Sequence, residues 1–557
     1  RHCAHYTGLV AAHERDLLAT RAAQERLRAE LGNIRVAWDW AVARRRAADL
    51  LRSSRGLARL CLHGGMLPER SAAIAAAVAA LQERAADDAE ARRCLAALHV
   101  HHAEVLHGLS RYGESAAAAA RAVELARATG DAEQEAAGLL AWGNALIVRT
   151  NFGAAHERLS AALHLARAAG VRWVEAACLE AIGYTRYHTY DYAGSEESFR
   201  QALAIFRELG DRRHEASALS GLGNAIEDWG DPAAGAFYAA ALAIFRKLGD
   251  RHGESAMTHN IAVVDLFHAR YTEAQAGLER ALEAFIEQGS RFGEALARYN
   301  LARLARDLGD REEALRRFHL ARELFHEIGN REMEIAALNG MGVAHALLGQ
   351  HGAARERYDV ALELCRAVAD RRNQSRVLAN RARLLCRTGE YDMALAAAEQ
   401  ALQLARQIRH PLFEREACTA QGCALLGLGR LAEAEDAFHR ALLADPAPGH
   451  AILALEARAG LAATLLQRGD IPGAQEAARP VAEHALRHGR LDGKLDAPPI
   501  YLAALTALRA AGDKRAGALL TAASRDLRAQ AQHIANPATR RAFERLREVR
   551  AILKDER

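Results

Sequence analysis

A pattern of small residues recurs through most of this chain at intervals of 40 residues, with one interval of 39. Its first column is Gly143, Gly183, Gly223, Ala262, Ala302, Gly342, Ala382 and Gly422. Its second column is Ala155, Ser195, Ala234, Ala274, Ala314, Ala354, Ala394 and Ala434. Its third column is alanine throughout, at Ala162, Ala202, Ala241, Ala281, Ala321, Ala361, Ala401 and Ala441. Such registered repeats predict a stack of similar units, each of which buries its apolar face against its neighbours.

The composition predicts that each unit is helical. Ala, Leu, Glu and Arg are strong helix formers, and the chain has only 10 prolines among its 557 residues. Two crossing helices approach closely where their residues are small, so the columns predict an antiparallel hairpin of an A helix and a B helix. Glycines in the left-handed conformation should end these helices. The expected positions are Gly309, Gly349, Gly389 and Gly429 after A helices, and Gly210, Gly249 and Gly329 after B helices.

One small residue on the first helix and two alanines on the second resemble the tetratricopeptide repeat (TPR). The usual TPR is about 34 residues long, so each 40-residue unit here has longer helices. The resemblance implies an all-α fold, a right-handed TPR superhelix (α-solenoid) of about eleven to twelve hairpins. Its B-helix aromatics Phe245, Phe285 and Phe325 are expected in the core between hairpins.

The repeat pattern is regular in the middle of the chain and weaker toward both ends, and this difference predicts how the chain divides into segments. Asn536 and Pro537 suit the cap and first turn of a terminal helix, and the two prolines at 445–450 suit a hinge. The expected segments are a helical adaptor or linker at 1–55, a degenerate hairpin at 56–89, the regular TPR array at 90–449, divergent TPR-like hairpins at 450–535 and a C-terminal capping helix at 536–557.

The two ends carry a second resemblance. RHCAHY at 1–6, LRAELGNIRVAWDWA at 27–41, GMLPE at 65–69 and RRAFERLREVRAIL at 540–553 resemble segments of bacterial signal-transduction ATPases with numerous domains (STAND), including AfsR-like and LuxR-type ATPase regulators. Similar segments also occur in bacterial cyclase- and kinase-linked TPR proteins. The resemblance implies a C-terminal sensor arm whose ligand relieves autoinhibition of an upstream ATPase module. Because the chain begins with Arg1, we expect it to be a piece of such a longer protein.

Charge and cysteine content narrow the class of protein. The formal charge is +4 from 74 basic and 70 acidic residues, which predicts no direct nucleic-acid binding by this segment. The eight cysteines include no CxxC pair and are expected to be reduced. No membrane-spanning run or signal peptide is evident. The expectation is therefore a cytoplasmic protein.

Catalytic and metal-binding motifs are not evident in the sequence. We find no P-loop, HExxH or GxSxG motif, and we expect no enzyme activity, catalytic residue, cofactor or metal. The densest histidine group, His99, His101, His102 and His107, lies on one predicted helix. One helix does not easily supply four converging ligands, so a polar helix face is the favoured interpretation.

The residues that change between repeats predict the binding site. A helices line the concave face of such a solenoid, and the inward positions lie three residues before, one after, and four or five after the first small column. Asn144, Tyr184 and Asn224 share one position, where amides can hold an extended peptide backbone. Acidic residues, including Glu180, come early and arginines come late, which would orient a bound segment. The predicted ligand-contacting residues are Asn144, Tyr184, Tyr187, His188, Asn224, Glu227, Asp228, His259, Tyr299, Arg303, Arg306, Asn339, Arg383 and Arg387.

The sequence thus predicts a binding module for a protein, a peptide or another inducer. The alternative is a structural scaffold for assembly or oligomerisation without a small ligand. An enzyme is the third and least supported class, because no nucleophile, base and electrophile occur together.

Overall fold

The computed structural model describes residues 2–13, 26–27, 29–62, 67–227, 233–444, 452–491 and 496–555. Contacts between Cα atoms divide the chain into two compact units. Unit 1 contains the described residues up to Met257, and unit 2 contains those from Thr258 onward. The described residues are helical with short turns and contain no strand, as the composition predicts.

The helices of unit 1 follow one another as hairpins, in which each helix packs against the next. A short 3₁₀ turn at Arg84–Ala86 precedes the regular array. The helices are α1 (His2–Ala12), α2 (Leu31–Ala43), α3 (Ala47–Leu62), α4 (Leu67–Gln82), α5 (Ala89–Gly108), α6 (Tyr112–Thr129), α7 (Ala132–Val148), α8 (Phe152–Ala169), α9 (Arg172–His188), α10 (Tyr192–Leu209), α11 (Arg212–Glu227), α12 (Ala234–Leu248) and α13 (Arg251–Phe267), the last of which continues into unit 2.

Unit 2 repeats the same arrangement to the end of the described chain. Its helices are α14 (Tyr271–Glu287), α15 (Arg291–Leu308), α16 (Arg311–Glu327), α17 (Arg331–Leu347), α18 (His351–Val368), α19 (Arg371–Thr388), α20 (Tyr391–Gln407), α21 (Pro411–Gly427), α22 (Leu431–Ala444), α23 (Ala454–Gln467), α24 (Ile471–His488), α25 (Ala497–Ala510), α26 (Arg515–His533), α27 (Pro537–Glu544) and α28 (Arg547–Asp555).

The first small column marks the closest approach of the A helix to its B helix. A Cβ built on Gly223 would lie 2.4 Å from Cε1 of Tyr238, and one on Gly422 would lie 2.7 Å from Cε1 of Phe438. The residue that needs the space is thus a large B-helix side chain. The alanine column is buried as well, at no more than 1% exposure in all eight copies. The predicted close packing of the hairpins is confirmed.

Left-handed caps end most of these helices, as predicted. The glycines expected after A helices have φ of 93° at Gly309, 74° at Gly349, 82° at Gly389 and 73° at Gly429. Those expected after B helices, Gly210, Gly249 and Gly329, have φ of 68°, 67° and 74°. At the corresponding turn after α18 the chain has Ala369, which adopts φ of 57° despite its Cβ. The turn geometry is therefore set by the repeat and tolerates an occasional non-glycine residue.

The expected core aromatics of the B helices are buried. Phe245 is 8% exposed, Phe285 is 3% exposed and Phe325 is fully buried. These rings also account for further glycines, because a Cβ on Gly253 would lie 2.5 Å from Cγ of Phe245. The large apolar residues of B helices therefore fill the space between consecutive hairpins.

Residues at the N-terminal end form helices outside the regular pattern. α1 packs against α2 and α3, and α2 buries Trp38 beneath the guanidinium of Arg70, 4.4 Å from the ring centre. The predicted boundary between residues 55 and 56 falls inside α3, which runs to Leu62. The predicted hinge at 445–450 lies outside the described residues.

The C-terminal segment forms two helices, α27 and α28, where the sequence suggested one. Asn536 caps α27 by accepting hydrogen bonds from the N–H groups of Ala538 and Thr539, and Pro537 follows in the first turn. Phe543, Val549 and Ile552 are fully buried. Apolar burial of this kind is what a cap at the end of a helical stack must supply.

The C-terminal helices of unit 2 also fold back onto much earlier repeats. The guanidinium of Arg311 donates to Oε1 of Gln530 at 2.7 Å, and its Cζ lies 5.2 Å from the ring centre of Phe543. Gln350 donates to the hydroxyl of Thr539 at 3.1 Å. Residues about two hundred positions apart in sequence therefore stabilise one another within unit 2. None of the helices in the described part of the chain is long and apolar enough to cross a membrane.

Candidate functional site

Four successive A helices of unit 1 line a cavity of 570 Å³. The lining residues come from α5, α7, α9 and α11, and we call this cavity with its walls the unit 1 groove. On each A helix, side chains three or four positions apart lie on the same face of the helix, and that face lines the cavity. The volume is within the range of cavities that hold ligands in proteins.

The positions that line the groove differ partly from the predicted ones. The predicted positions three before and one after the small column do face it, at Leu140, Asn144, Glu180 and Tyr184. Positions nine and ten before the column also face it, and they supply Gln134, Trp173, Val174, Arg213 and His214. The sequence analysis missed these residues, although adding two helical turns in the same 3.6-residue period would have found them.

Glu180 is the most unusual side chain of the groove. It is 9% exposed, and its Oε1 atom has no hydrogen-bond partner among the described residues. Burial raises the pKa of its carboxyl group, while the charge of His214 and the hydroxyl of Ser217 oppose that shift. A buried carboxyl oxygen without a hydrogen-bond partner lowers the stability of the folded protein. A hydrogen-bond donor on a ligand would supply the missing partner.

A hydrogen-bonded cluster forms the α11 side of the groove. Nδ1 of His214 lies 2.8 Å from Oδ2 of Asp211, and the indole of Trp173 donates to the same oxygen at 3.0 Å. His214 also stacks on Phe206 with ring centres 5.1 Å apart. Burial opposes the charged imidazolium, yet the hydrogen bond to Asp211 leaves the pKa of His214 raised. This wall therefore has a fixed position before any ligand binds.

Polar groups of α5 and α7 form the opposite side of the groove. Nδ1 of His101 lies 3.1 Å from Oε2 of Glu104. Burial lowers the pKa of His107, and its buried Nδ1 atom has no hydrogen-bond partner within the described ranges. The amide side chain of Asn144 lines the cavity and makes no hydrogen bond to another described residue. An amide supplies both a donor and an acceptor, which is what a peptide backbone requires.

Other predicted residues of unit 1 contact side chains of their own or the preceding hairpin. The His188 ring stacks on Phe152 at 5.0 Å, and Tyr187 contacts the edge of Tyr192 at 5.8 Å. The hydroxyl of Tyr238 lies 2.7 Å from Oδ1 of Asn224 and 2.6 Å from Oε2 of Glu227. These four predicted residues, His188, Tyr187, Asn224 and Glu227, do not line the unit 1 groove. Asp228 lies outside the described residues.

The predicted polar residues on α13, α15 and α17 are buried in unit 2. His259 is 6% exposed, and its Nε2 lies 3.0 Å from Nδ2 of Asn300. Asn339 accepts a hydrogen bond from Asn380 at 3.0 Å. Tyr299 contacts the edge of Phe318, with ring centres 5.6 Å apart. Contact of His259, Asn339 and Tyr299 with a ligand stays a prediction.

The four predicted arginines of unit 2 have partners within the chain. Arg303 donates to Oδ1 of Asn300 at 2.9 Å, and Arg306 donates to Oδ1 of Asp307 at 2.8 Å. Nε of Arg383 lies 3.0 Å from Oε1 of Glu456, and Arg387 forms an ion pair with Asp496. Three of the four arginines thus have a carboxylate of unit 2 as a partner, and the partner of Arg303 is an amide oxygen of the same unit. Their contact with an external ligand also stays a prediction.

Chemically reactive groups are sparse in the described chain. No group of three or more His, Cys, Asp or Glu side chains is placed to hold a metal ion among those residues. The cysteines whose side chains the structure describes form no disulfide. Burial raises the pKa of Cys178 and Cys386 to about 12. A thiol with so high a pKa is a poor nucleophile.

Comparisons with known proteins agree with this architecture. Models described as tetratricopeptide repeat match residues 293–367, 333–407 and 416–448. These segments are tetratricopeptide repeats, and the same period continues on both sides of them. The fold is an all-α solenoid of the tetratricopeptide-repeat kind. A search among curated proteins found no match.

Solved structures resemble the fold at low sequence identity. A Rap protein complexed with competence and sporulation factor is 15% identical, with a TM-score of 0.52, over 63% of this chain and 97% of that one. The apo form of the quorum sensor NprR from B. thuringiensis is 16% identical, with a TM-score of 0.42, over 56% of this chain and 88% of that one. A STAND protein with a tetratricopeptide repeat sensor from Pyrococcus horikoshii is 14% identical, with a TM-score of 0.40, over 62% of this chain and 52% of that one.

Proposed function

We propose that this chain, which carries tetratricopeptide repeats at residues 293–407 and 416–448, is a binding module that holds an extended peptide segment in the unit 1 groove. The observation that carries the proposal is the 570 Å³ cavity across four A helices. The amide of Asn144 lines this cavity, as does Glu180, whose Oε1 atom has no hydrogen-bond partner among the described residues. A groove with such atoms gains hydrogen bonds when a peptide enters it.

The dimensions of the groove suit an extended chain. Packed helices lie about 10 Å apart, so four A helices side by side span about 30 Å. An extended peptide advances about 3.3 Å per residue, which makes the span about nine residues. The amide of Asn144 supports the peptide backbone, and the aromatic rings of Trp173 and Tyr184 provide apolar contact surface. The solved complex of a Rap protein with competence and sporulation factor supports a ligand-binding use of this fold.

The proposal extends to the role of the module in a longer protein. The resemblance of residues 27–41 and 540–553 to STAND regulators suggests the sensor and interaction arm of such an ATPase. A peptide bound to the arm would shift the equilibrium between two arrangements of the longer protein by its difference in affinity for them. Sequencing the gene upstream of the codon for Arg1 tests this part, and the expected result is an ATPase module with a P-loop.

A selection experiment tests peptide binding in the groove. A random nonapeptide library is panned on the immobilised full chain and on two variants. Ala137→Trp places a large ring in the cavity that Ala137 lines, whereas Ala117→Trp places one on the exposed surface of α6. We expect enriched peptides that bind the wild-type chain and Ala117→Trp but lose binding to Ala137→Trp. Equal binding to both variants would exclude the unit 1 groove as the site.

A further inference from the structure

The carboxyl group of Glu180 has a position and an environment that the packing of the hairpin does not explain. Its α9 neighbours Ala177, Ala181 and Tyr184 also line the cavity, so this face of α9 is turned toward the groove. Glu180 is nevertheless 9% exposed, and its Oε1 atom is buried with no hydrogen-bond partner in the part of the chain that the structure describes. The charge of His214 and the hydroxyl of Ser217 offset the desolvation of this carboxyl group only in part, because its pKa remains raised and its Oε1 atom accepts no hydrogen bond from the described residues.

Cationic groups near Glu180 are already committed to other carboxylates. Nη2 of Arg213 lies 2.6 Å from Oδ2 of Asp250, and Nδ1 of His214 lies 2.8 Å from Oδ2 of Asp211. On the other side of the groove, Glu104 lies beside His101 at 3.1 Å. Arg213 and His214 each have an acid of their own, so the carboxyl of Glu180 adds negative charge to the groove that these two cations do not fully balance.

The walls beside Glu180 are suited to the stem of a long side chain. Trp173 and Tyr184 provide aromatic surface, while Ala177 and Ala181 leave room because their side chains are short. Lysine and arginine bury an aliphatic stem along such a surface and place their charge at its end. A carboxylate at the end of an apolar slot binds an ammonium or guanidinium group through charge-assisted hydrogen bonds.

We propose that Glu180 is a specificity-determining residue that selects peptides carrying a lysine or arginine, whose cationic group binds the Glu180 carboxylate at the α9 wall of the unit 1 groove. This inference rests on the proposed peptide-binding function and adds the class of side chain that is recognised. The stem of the bound residue lies along Trp173 and Tyr184, and the amide of Asn144 holds the backbone beside it.

A positional-scanning array of capped nonapeptides tests the inference with the labelled full chain. We expect lysine and arginine to be enriched at one position, and replacement of that residue by norleucine to weaken binding about tenfold or more. Glu180→Gln should remove the preference for lysine over norleucine, whereas Glu157→Gln, at an exposed site on α8, should leave it unchanged. Far-UV circular dichroism melts of both variants establish that they fold.

The outcomes separate the two proposals. If peptides bind the groove but lysine and norleucine bind equally well, the role of Glu180 is overturned while the peptide-binding function stands. If the array yields no bound peptide, both proposals fail. Spermidine serves as a cationic competitor without a peptide backbone. Displacement of the peptide by equimolar spermidine would show that a free polyamine is the ligand, which overturns the assignment to a peptide. The norleucine comparison uses the unmodified chain, so the test stands even if Glu180→Gln fails to fold.

Discussion

Nε of Arg383 lies 3.0 Å from Oε1 of Glu456, and this contact joins two residues of unit 2 that are 73 positions apart in sequence. Both side chains are largely buried, with exposures of 23% and 20%. The pKa of Arg383 is raised because the charges of Glu456 and Glu416 outweigh the effect of burial. The arginine is therefore held as a cation by carboxylates of its own chain.

Removing Glu456 should destabilise unit 2 by leaving this cation without its main partner. We expect Glu456→Leu to lower the free energy of unfolding by about 2 kcal/mol, because an unpaired buried charge costs more than the pair contributes. The double variant Arg383→Met with Glu456→Leu should recover most of the loss, since it removes both charges together. Urea unfolding of the three proteins provides the measurement, and a double variant that is less stable than Glu456→Leu would contradict this account.

The contact between the C-terminal helices and the earlier repeats predicts a second effect on stability. Phe543 is fully buried and lies beneath the guanidinium of Arg311. Phe543→Ala should lower the free energy of unfolding by about 4 kcal/mol, the usual cost of deleting a buried phenyl ring. Leu443→Ala, at a side chain that is 80% exposed, is the control and should change stability by less than about 0.5 kcal/mol. Similar effects of both substitutions would show that α27 is not docked in solution.

Two left-handed turns in unit 2, one after a B helix and one after an A helix, predict stability changes of opposite sign. Ala369 and Gly389 follow α18 and α19 with φ of 57° and 82°, in the region where a Cβ is strained. Ala369→Gly should raise the free energy of unfolding by about 0.5 to 1 kcal/mol, and Gly389→Ala should lower it by about 1 kcal/mol. Chemical denaturation of each variant measures the change. A loss of stability in Ala369→Gly would mean that the turn does not adopt a left-handed conformation.

The pair of His214 and Asp211 predicts a pH dependence in the stability of unit 1. The folded pKa of His214 is raised, mainly because the hydrogen bond to Asp211 outweighs burial, and Glu180 and Arg213 also act on it. The pair therefore contributes fully to the free energy of unfolding below the unfolded histidine pKa of about 6.5. This contribution is lost as the pH rises through the folded pKa of His214. We expect the difference in Tm between the wild type and His214→Gln to shrink from pH ~6 to pH ~9. A difference that grows over this range would contradict the assignment.

Much of the fold was predictable because packing repeats itself in the sequence. The column that contains Gly223 and Gly422 is small because a large ring of the B helix approaches it closely. The same close approach recurs in other repeats. Glycines in the turns, such as Gly309, mark the positions where the left-handed caps end the helices. The break between α27 and α28 was not predicted, because no glycine or proline marks the chain at Arg545 and Leu546.

The candidate site was predictable only in part. Asn144 and Tyr184 were found because they occupy one repeated position that faces the groove. Trp173 and His214 were missed, because their positions lie nearer the start of the A helix than the ones considered. The partners of Arg383 and Arg387 were not foreseen, since Glu456 and Asp496 are brought to them by the folding back of later helices in unit 2. Long-range contacts of this kind leave no periodic signal in a sequence.

Photo-cross-linking is the most direct measurement of where a ligand binds. A nonapeptide selected on the full chain is prepared with a photoreactive residue at its centre, irradiated in the complex and mapped by mass spectrometry. We predict cross-links to the lining residues of α5, α7, α9 and α11, in the helices that form the 570 Å³ cavity. Cross-links confined to α15, α17 and α19, around Arg303 and Arg383, would contradict the central claim that the unit 1 groove is the peptide-binding site.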